Sequence, residues 1–434
     1  MLLASAPLAA TASALHSGQL DLLSYINEVC DRIDAVDPQI QALLPETDRR
    51  ARLIAKARAL QARFPDPAGR PLLYGALVGV KDVFRADDFP TQAGSQLPAE
   101  VFSGPEAKCV TLLHSAGALL VGKTISTEFA WAEPGPTRNP RNLNHTPGGS
   151  SSGSAAAVAA GFCPLALGTQ TIGSVIRPAA FCGIVGFKPT YGRIATEGLI
   201  MFSRSVDTIG FFTQDVPGIA LAASVLCKDW RTIEPHAAVE PDFLPVLGVP
   251  DGPYLNQASV EGLEVFEMQL LRLQEMGYKV RRISVLQDIE TINQRHMRMI
   301  FAEMAREHAS WYAQYESLYR PRTVAAIREG QGVGAEELKI ARDGRIMLRN
   351  QLETIMAQAG INLWVCPAAP GPAPEGISTT GNPIMNLPWT YAGMPVISLS
   401  AGHAANGMPL GIQVIAPSMA DEQLISWAQH MRTV

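Results

Sequence analysis

Apolar positions along this chain follow two periods. Over residues 21–36, Leu22, Ile26, Val29, Cys30 and Ile33 fall on one helical face. The spacing predicts an amphipathic helix ended by Asp37-Pro38. A more polar helix is predicted over 47–64, with Leu53, Ala57 and Leu60 as its apolar stripe. Further helical patterns cover 107–116, 257–276, 289–315 and 335–359, the last two joined by a loop near residues 330–334. Short apolar runs predict strands at 77–83, 118–121, 243–249, 279–285, 363–366, 395–400 and 410–416, with a glycine-punctuated strand region at 181–187. Residues 207–210 read as a tight element, and the apolar first twenty residues as an amphipathic start to the fold, since no Lys or Arg precedes Arg32.

Strands alternating with helices predict an α/β fold around a central sheet. No linker, repeat or low-complexity tail interrupts it, so one domain spanning 1–434 is expected. Within that domain, the charged helices of about 255–360 read as a surface lobe.

One stretch breaks both periods. Residues 148–178 read GGSSSGSAAAVAAGFCPLALGTQTIGSVIRP. The helix-like piece 152–161 carries Ser, Ala, Val and Gly where a core helix carries bulky residues, so another backbone can approach closely. Two Gly-Ser turns flank it, and such turns expose backbone amides and hydroxyls. Lys81 is the second anomaly. It interrupts an apolar strand, and burying an ammonium is costly unless it is paired or neutral. As an isolated feature it also fits an edge lysine that reaches to water.

Composition narrows the function. Hydrophobic residues make up 47% and charged residues 17% of 434, enough for a sizeable core. A formal net charge of -5 argues against a nucleic-acid partner. No apolar run is long enough to span a membrane. Cysteines 30, 109, 163, 182, 227 and 366 are spread singly, which predicts free buried thiols and a cytoplasmic setting.

The chemistry centres on Ser174. A tight turn after Gly168 would direct the backbone N–H groups of Thr171, Ile172, Gly173 and Ser174 into one concavity, an oxyanion hole. A serine there needs a base. Eight histidines occur, none in a GxSxG elbow, and His145 lies in a proline-flanked loop. Lys81, if neutral, is the better acceptor.

Gly-Val-Lys-Asp at 79–82, Gly-Gly-Ser-Ser-Ser-Gly-Ser at 148–154 and the run 173–183 together resemble the amidase signature family of serine hydrolases. The loop Pro90-Thr91-Gln92-Ala93-Gly94-Ser95 and the closing run 407–416 extend the resemblance over nearly the whole chain. It implies a central twisted mixed β-sheet covered by helices on both faces, with a signature core at about 70–215. It also implies a Ser–cis-Ser–Lys triad: Ser174 as acylated nucleophile, Ser150 as bridge after a cis bond from Gly149, and Lys81 as base. Three adjacent serines leave Ser150 and Ser151 both open as the bridge, while Ser152 and Ser154 read as caps or packing. No metal and no cofactor are implied. The partners expected are a small-molecule amide and water, with a homodimer suggested by the helical lobe.

Two departures stand out. Ile172 replaces a glycine common in the family, which keeps its N–H but requires negative φ and is expected to narrow the pocket. Gln170 stands where many members carry Asp. Arg177, three residues after the nucleophile, resembles a bacterial subgroup that includes malonamidases, and it is a candidate to grip a substrate carboxylate. Gln170, Gly149 and Trp131 complete the expected substrate contacts. The resemblance admits an alternative, a glutamine-hydrolysing amidotransferase subunit that needs partner chains. Those subunits usually carry two glycines before the nucleophile, unlike Ile172-Gly173 here. A carbamate or ureide hydrolase on the same site is the other alternative.

Overall fold

A computed structural model describes residues 1–231 and 244–431. Ten strands form one continuous sheet: β1 (Leu77–Lys81), β2 (Leu119–Thr124), β3 (Leu165–Gln170), β4 (Val185–Lys188), β5 (Thr208–Thr213), β6 (Leu247–Asp251), β7 (Val280–Ser284), β8 (Leu363–Pro367), β9 (Val396–His403) and β10 (Pro409–Ile415). Their order is β2-β1-β3-β5-β4-β9-β10-β8-β6-β7. Parallel pairs join β1 to β2 and β3, and β6 to β7 and β8, while the centre is antiparallel. Every residue of β1 to β5 is buried, so helices cover both faces. The α/β architecture with a central mixed sheet is therefore as expected. The edge strand β7 is half exposed and carries Arg281 and Arg282, charges that discourage further pairing.

Fourteen helices occur among the described residues. The N-terminal ones are α1 (Leu8–Ser17), α2 (Leu22–Ile40) and α3 (Arg49–Arg63). The Asp21 side chain caps α2 by accepting from Ser24 N–H at 2.8 Å. That helix runs past Asp37-Pro38, which the sequence pattern marks as its end. Pro38 falls in the last turn, where it forfeits only one intrahelical bond, and Asp37 accepts the N–H of Ala42 at 2.7 Å beyond it.

Next come α4 (Lys108–Ser115), α5 (Ser152–Ala159), α6 (Ile176–Cys182) and α7 (Val216–Leu226), the last not predicted. Every residue of α5 is buried. A methyl at Gly153 would overlap the Ala42 carbonyl oxygen and the Ile125 nitrogen, which is why this helix is built from small residues. Phe181 and Cys182, predicted as strand, end α6. Gly183 at φ 63° breaks the helix, and β4 starts only at Val185. The tight element at 207–210 is the start of β5.

The C-terminal helices are α8 (Val260–Glu275), α9 (Ile289–Glu307), α10 (Ala309–Tyr315), α11 (Pro321–Gln331), α12 (Ala335–Ala359), α13 (Leu387–Tyr391) and α14 (Asp421–His430). The predicted helix 289–315 is two helices broken at His308, and α11, with Pro321 at its first turn, was not foreseen. Helix α8 packs on β8, β9 and β10 as part of the sheet covering. Helix α9 packs against α10, α11, α12 and α13. The predicted strand start at Phe243 lies outside the described residues, and the strand begins at Leu247. All six cysteines are free and buried. No helix of the described residues is long and apolar enough to cross a membrane.

Candidate active site

Lys81 is the last residue of β1, between β2 and β3 and 0% exposed. Its Nζ lies 2.7 Å from Ser150 Oγ and 2.8 Å from Thr169 Oγ1. Burial holds its ammonium down at about 7, with the Asp207 carboxylate acting in the opposite direction. Lys81 is thus buried against hydroxyls; it is not an edge lysine reaching to water.

The Gly149–Ser150 peptide bond is cis. Thr127 N–H donates to the Ser150 carbonyl at 3.1 Å. The neighbouring serines part company here. The Ser151 hydroxyl engages the backbone of Thr169, donating to its carbonyl and accepting its N–H at 3.3 Å each. Ser152 Oγ donates to the Gly148 carbonyl at 2.7 Å, and Ser154 Oγ to Leu167 at 2.8 Å. Ser150 alone of this run reaches the lysine; Ser151 and Ser154 bond the backbone of β3, Ser154 also meets Thr124 Oγ1 at 2.6 Å, and Ser152 bonds its own turn.

The turn between β3 and α6 carries Ser174. Gln170 shapes it: its Oε1 accepts the N–H groups of Val175 and Ile176 at 2.9 and 3.0 Å, capping α6. Its Nε2 donates to Thr390 Oγ1 at 2.9 Å, and that hydroxyl donates to the Ile172 carbonyl at 2.6 Å. Thr171 Oγ1 donates to Asp207 at 2.6 Å, and His296 Nε2 from α9 lies 3.0 Å from the Thr171 carbonyl. Burial lowers His296 to about 3, so the ring is neutral and donates. The carbonyl side of the turn is therefore tied down. On the amide side, the N–H groups of Ile172, Gly173 and Ser174 find no backbone acceptor among the described residues. Ser174 is 8% exposed, more than Ser150 or Lys81.

Ile172 is not among the residues with positive φ, as its branched side chain requires. That side chain is 5% exposed and counts among the buried apolar residues of the main core. Gln170 is reassigned from substrate contact to scaffold, because both ends of its amide serve the turn. Arg177 is buried; its guanidinium donates to the Gly381 carbonyl at 2.7 Å, the Gly149 carbonyl at 2.5 Å and Thr380 Oγ1 at 3.3 Å. Burial lowers it to about 9. It braces α6 against the Gly149 turn, and the Gly149 carbonyl is used by this brace. Trp131 packs on Phe301 of α9, with ring centroids 5.0 Å apart, and on Phe202 at 5.6 Å. His145 Nδ1 lies 2.8 Å from the Ala373 carbonyl, away from any serine hydroxyl.

Thr169, Asp207, His296 and Thr390 are parts of this site that sequence reading missed. Thr169 had a signal, being one strand position from Gln170 within the signature run. His296 and Thr390 had none, because each lies more than 120 residues from the turn it holds.

The Amidase family model matches residues 24–425. A glutamyl-tRNA(Gln) amidotransferase subunit from Synechococcus sp. (strain RCC307) is 32% identical over 475 aligned positions, covering 98% of this chain and 96% of that one. The corresponding protein of Oleidesulfovibrio alaskensis is 32% identical, covering 96% and 95%. Among solved structures, a crystal structure of an amidase superposes with a TM-score of 0.87 at 30% identity, covering 98% of both chains.

Proposed function

The chain belongs to the amidase family, and on that premise we propose that it hydrolyses the C–N bond of a carboxylic amide through Ser174, Ser150 and Lys81. Neutral Lys81 accepts the Ser150 proton as Ser150 takes the proton of Ser174, since a hydroxyl donates and accepts at once. Ser174 Oγ forms a bond to the amide carbon. The carbonyl oxygen becomes an oxyanion facing the N–H groups of Ile172, Gly173 and Ser174, with Thr171 beside them. As the C–N bond breaks, the proton returns from Lys81 through Ser150 to the leaving amine. Water then attacks the acyl-Ser174 ester by the same relay and releases the acid. Side chains, backbone and water supply every step.

The observation that carries this reading is the fully buried Lys81 amine, held near neutrality and 2.7 Å from Ser150 Oγ. A second reading is favoured by the likeness to amidotransferase subunits: a glutamine-hydrolysing component that acts with partner chains. Ammonia and amine release by the purified chain separates the two. A panel of short aliphatic amides, aryl amides, glutamine, a ureide and a carbamate ester is used, with Ser174→Ala and Lys81→Ala as controls. Turnover of an amide by the chain alone, lost in both variants, is expected. Glutamine hydrolysis that appears only with added partner chains would replace the first reading by the second.

A further inference from the structure

Asn386 lies fully buried just before α13. Its Nδ2 donates to the Ala368 carbonyl at 2.8 Å and to Gln413 Oε1 at 3.0 Å. The orientation of Gln413 is fixed, because its Nε2 donates to the carbonyls of Met385 and Pro367 at 2.6 and 3.0 Å, and carbonyls only accept. Gln413 therefore turns Oε1 to Asn386, which must answer with Nδ2. Asn386 Oδ1 is left facing Gly173, buried and without a hydrogen-bond donor among the described residues. Buried polar atoms without partners are rare enough to need a reason.

Gly173 supplies one. Its φ is not in the left-handed region, so its backbone does not demand glycine. Space does. A methyl there would overlap Asn386 Oδ1 and stand 2.9 Å from its Cγ and 3.0 Å from Pro383 Cβ. We infer that Asn386 is a positioning residue for the nucleophile turn: its carboxamide oxygen is the floor on which Gly173 rests, and it sets the direction of the Gly173 N–H and of Ser174. Thr390, four residues on, holds the same turn by hydrogen bonds, whereas Asn386 acts on it by contact alone.

The inference rests on Ser174 being the nucleophile, and the test separates the two. The rate at which a fluorophosphonate labels Ser174 is measured by mass spectrometry, beside kcat and KM on the best amide. Failure to label the wild type overturns the nucleophile reading and this inference with it. With the wild type labelled, Gly173→Ala is expected to slow labelling and kcat about 100-fold while KM stays within about threefold, the mark of misplaced reacting groups. Adding Asn386→Ser, which clears Oδ1 yet keeps a donor for Gln413, is expected to restore at least about tenfold. Wild-type labelling in Gly173→Ala, or no recovery in a double variant that melts cooperatively, overturns the inference alone. Should Asn386→Ser not fold, the Gly173→Ala kinetics decide it: a raised KM with kcat kept overturns it.

Discussion

Two lysines end strands of the same sheet in full burial. Lys81 closes β1 and Lys188 closes β4, each 0% exposed, and burial brings each down to about 7. They differ in what they touch. Lys81 faces the hydroxyls of Ser150 and Thr169. Lys188 Nζ donates to the carbonyls of Pro189 at 3.1 Å and Met394 at 2.6 Å. A carbonyl only accepts, so both contacts of Lys188 are ones in which its own protons are committed. A hydroxyl both donates and accepts, so a proton has a route to and from Lys81. Burial shifts a lysine toward its neutral form, and its partners decide whether it can act as a base. Lys123 marks the third case: it lies 3.0 Å from Asp82 in a buried ion pair, and burial lowers it while Asp82 opposes the shift.

Lys81→Ala should carry the greatest effect. Amide turnover is expected to fall about 10³-fold or more, as loss of a general base and nucleophile activator requires. A steady-state assay showing less than about a tenfold loss would put the base elsewhere.

The pH profile comes next. Burial disfavours the charged form of Lys81, so the neutral form prevails above about 7. The expected kcat/KM falls about tenfold per pH unit below that value and is flat just above it. An inflection that moves with Lys188→Met, not with changes around Lys81, would reverse the assignment of the two lysines.

Thr169→Val tests the hydroxyl argument at nearly constant shape. It removes one of the two partners of Lys81 and is expected to lower kcat about tenfold through poorer placement of the amine. An unchanged kcat would show that Ser150 suffices.

Lys188→Met should act on stability. It leaves the Pro189 and Met394 carbonyls unpaired, a cost of about 1–3 kcal/mol each, softened because methionine is easily buried. Amide turnover should stay within about threefold of wild type. The folded-state value of Lys188 is lowered from 10.5 to about 7, so between those values the unfolded chain binds more protons. Wild-type stability therefore rises with pH across that window, and the rise should be smaller in Lys188→Met, read by urea unfolding at several pH values.

Much of this was legible beforehand where neighbours in the chain are neighbours in space. The stripe of α2 is local, and its buried face is the predicted one. The small-residue run of α5 foretold a close backbone approach, which Gly153 makes against Ala42 and Ile125. Lys81 stood out because an ammonium in an apolar strand demands an explanation. Where the reading failed, a distant partner took the side chain. Arg177 and Gln170 carry groups suited to substrate, but Gly381 and Thr390 occupy them.

By itself, then, the sequence determined the alternation of strands and helices, the signature run and the residue types capable of acyl transfer, because each depends on composition and spacing within a few turns of chain. Tertiary structure decided which serine meets Lys81, that Lys81 and Lys188 face different chemistry at equal depth, and that Asn386 lies against Gly173. Those outcomes depend on burial and on contacts between segments up to some two hundred residues apart. Desolvation and hydrogen-bond direction arise only once those segments are packed together.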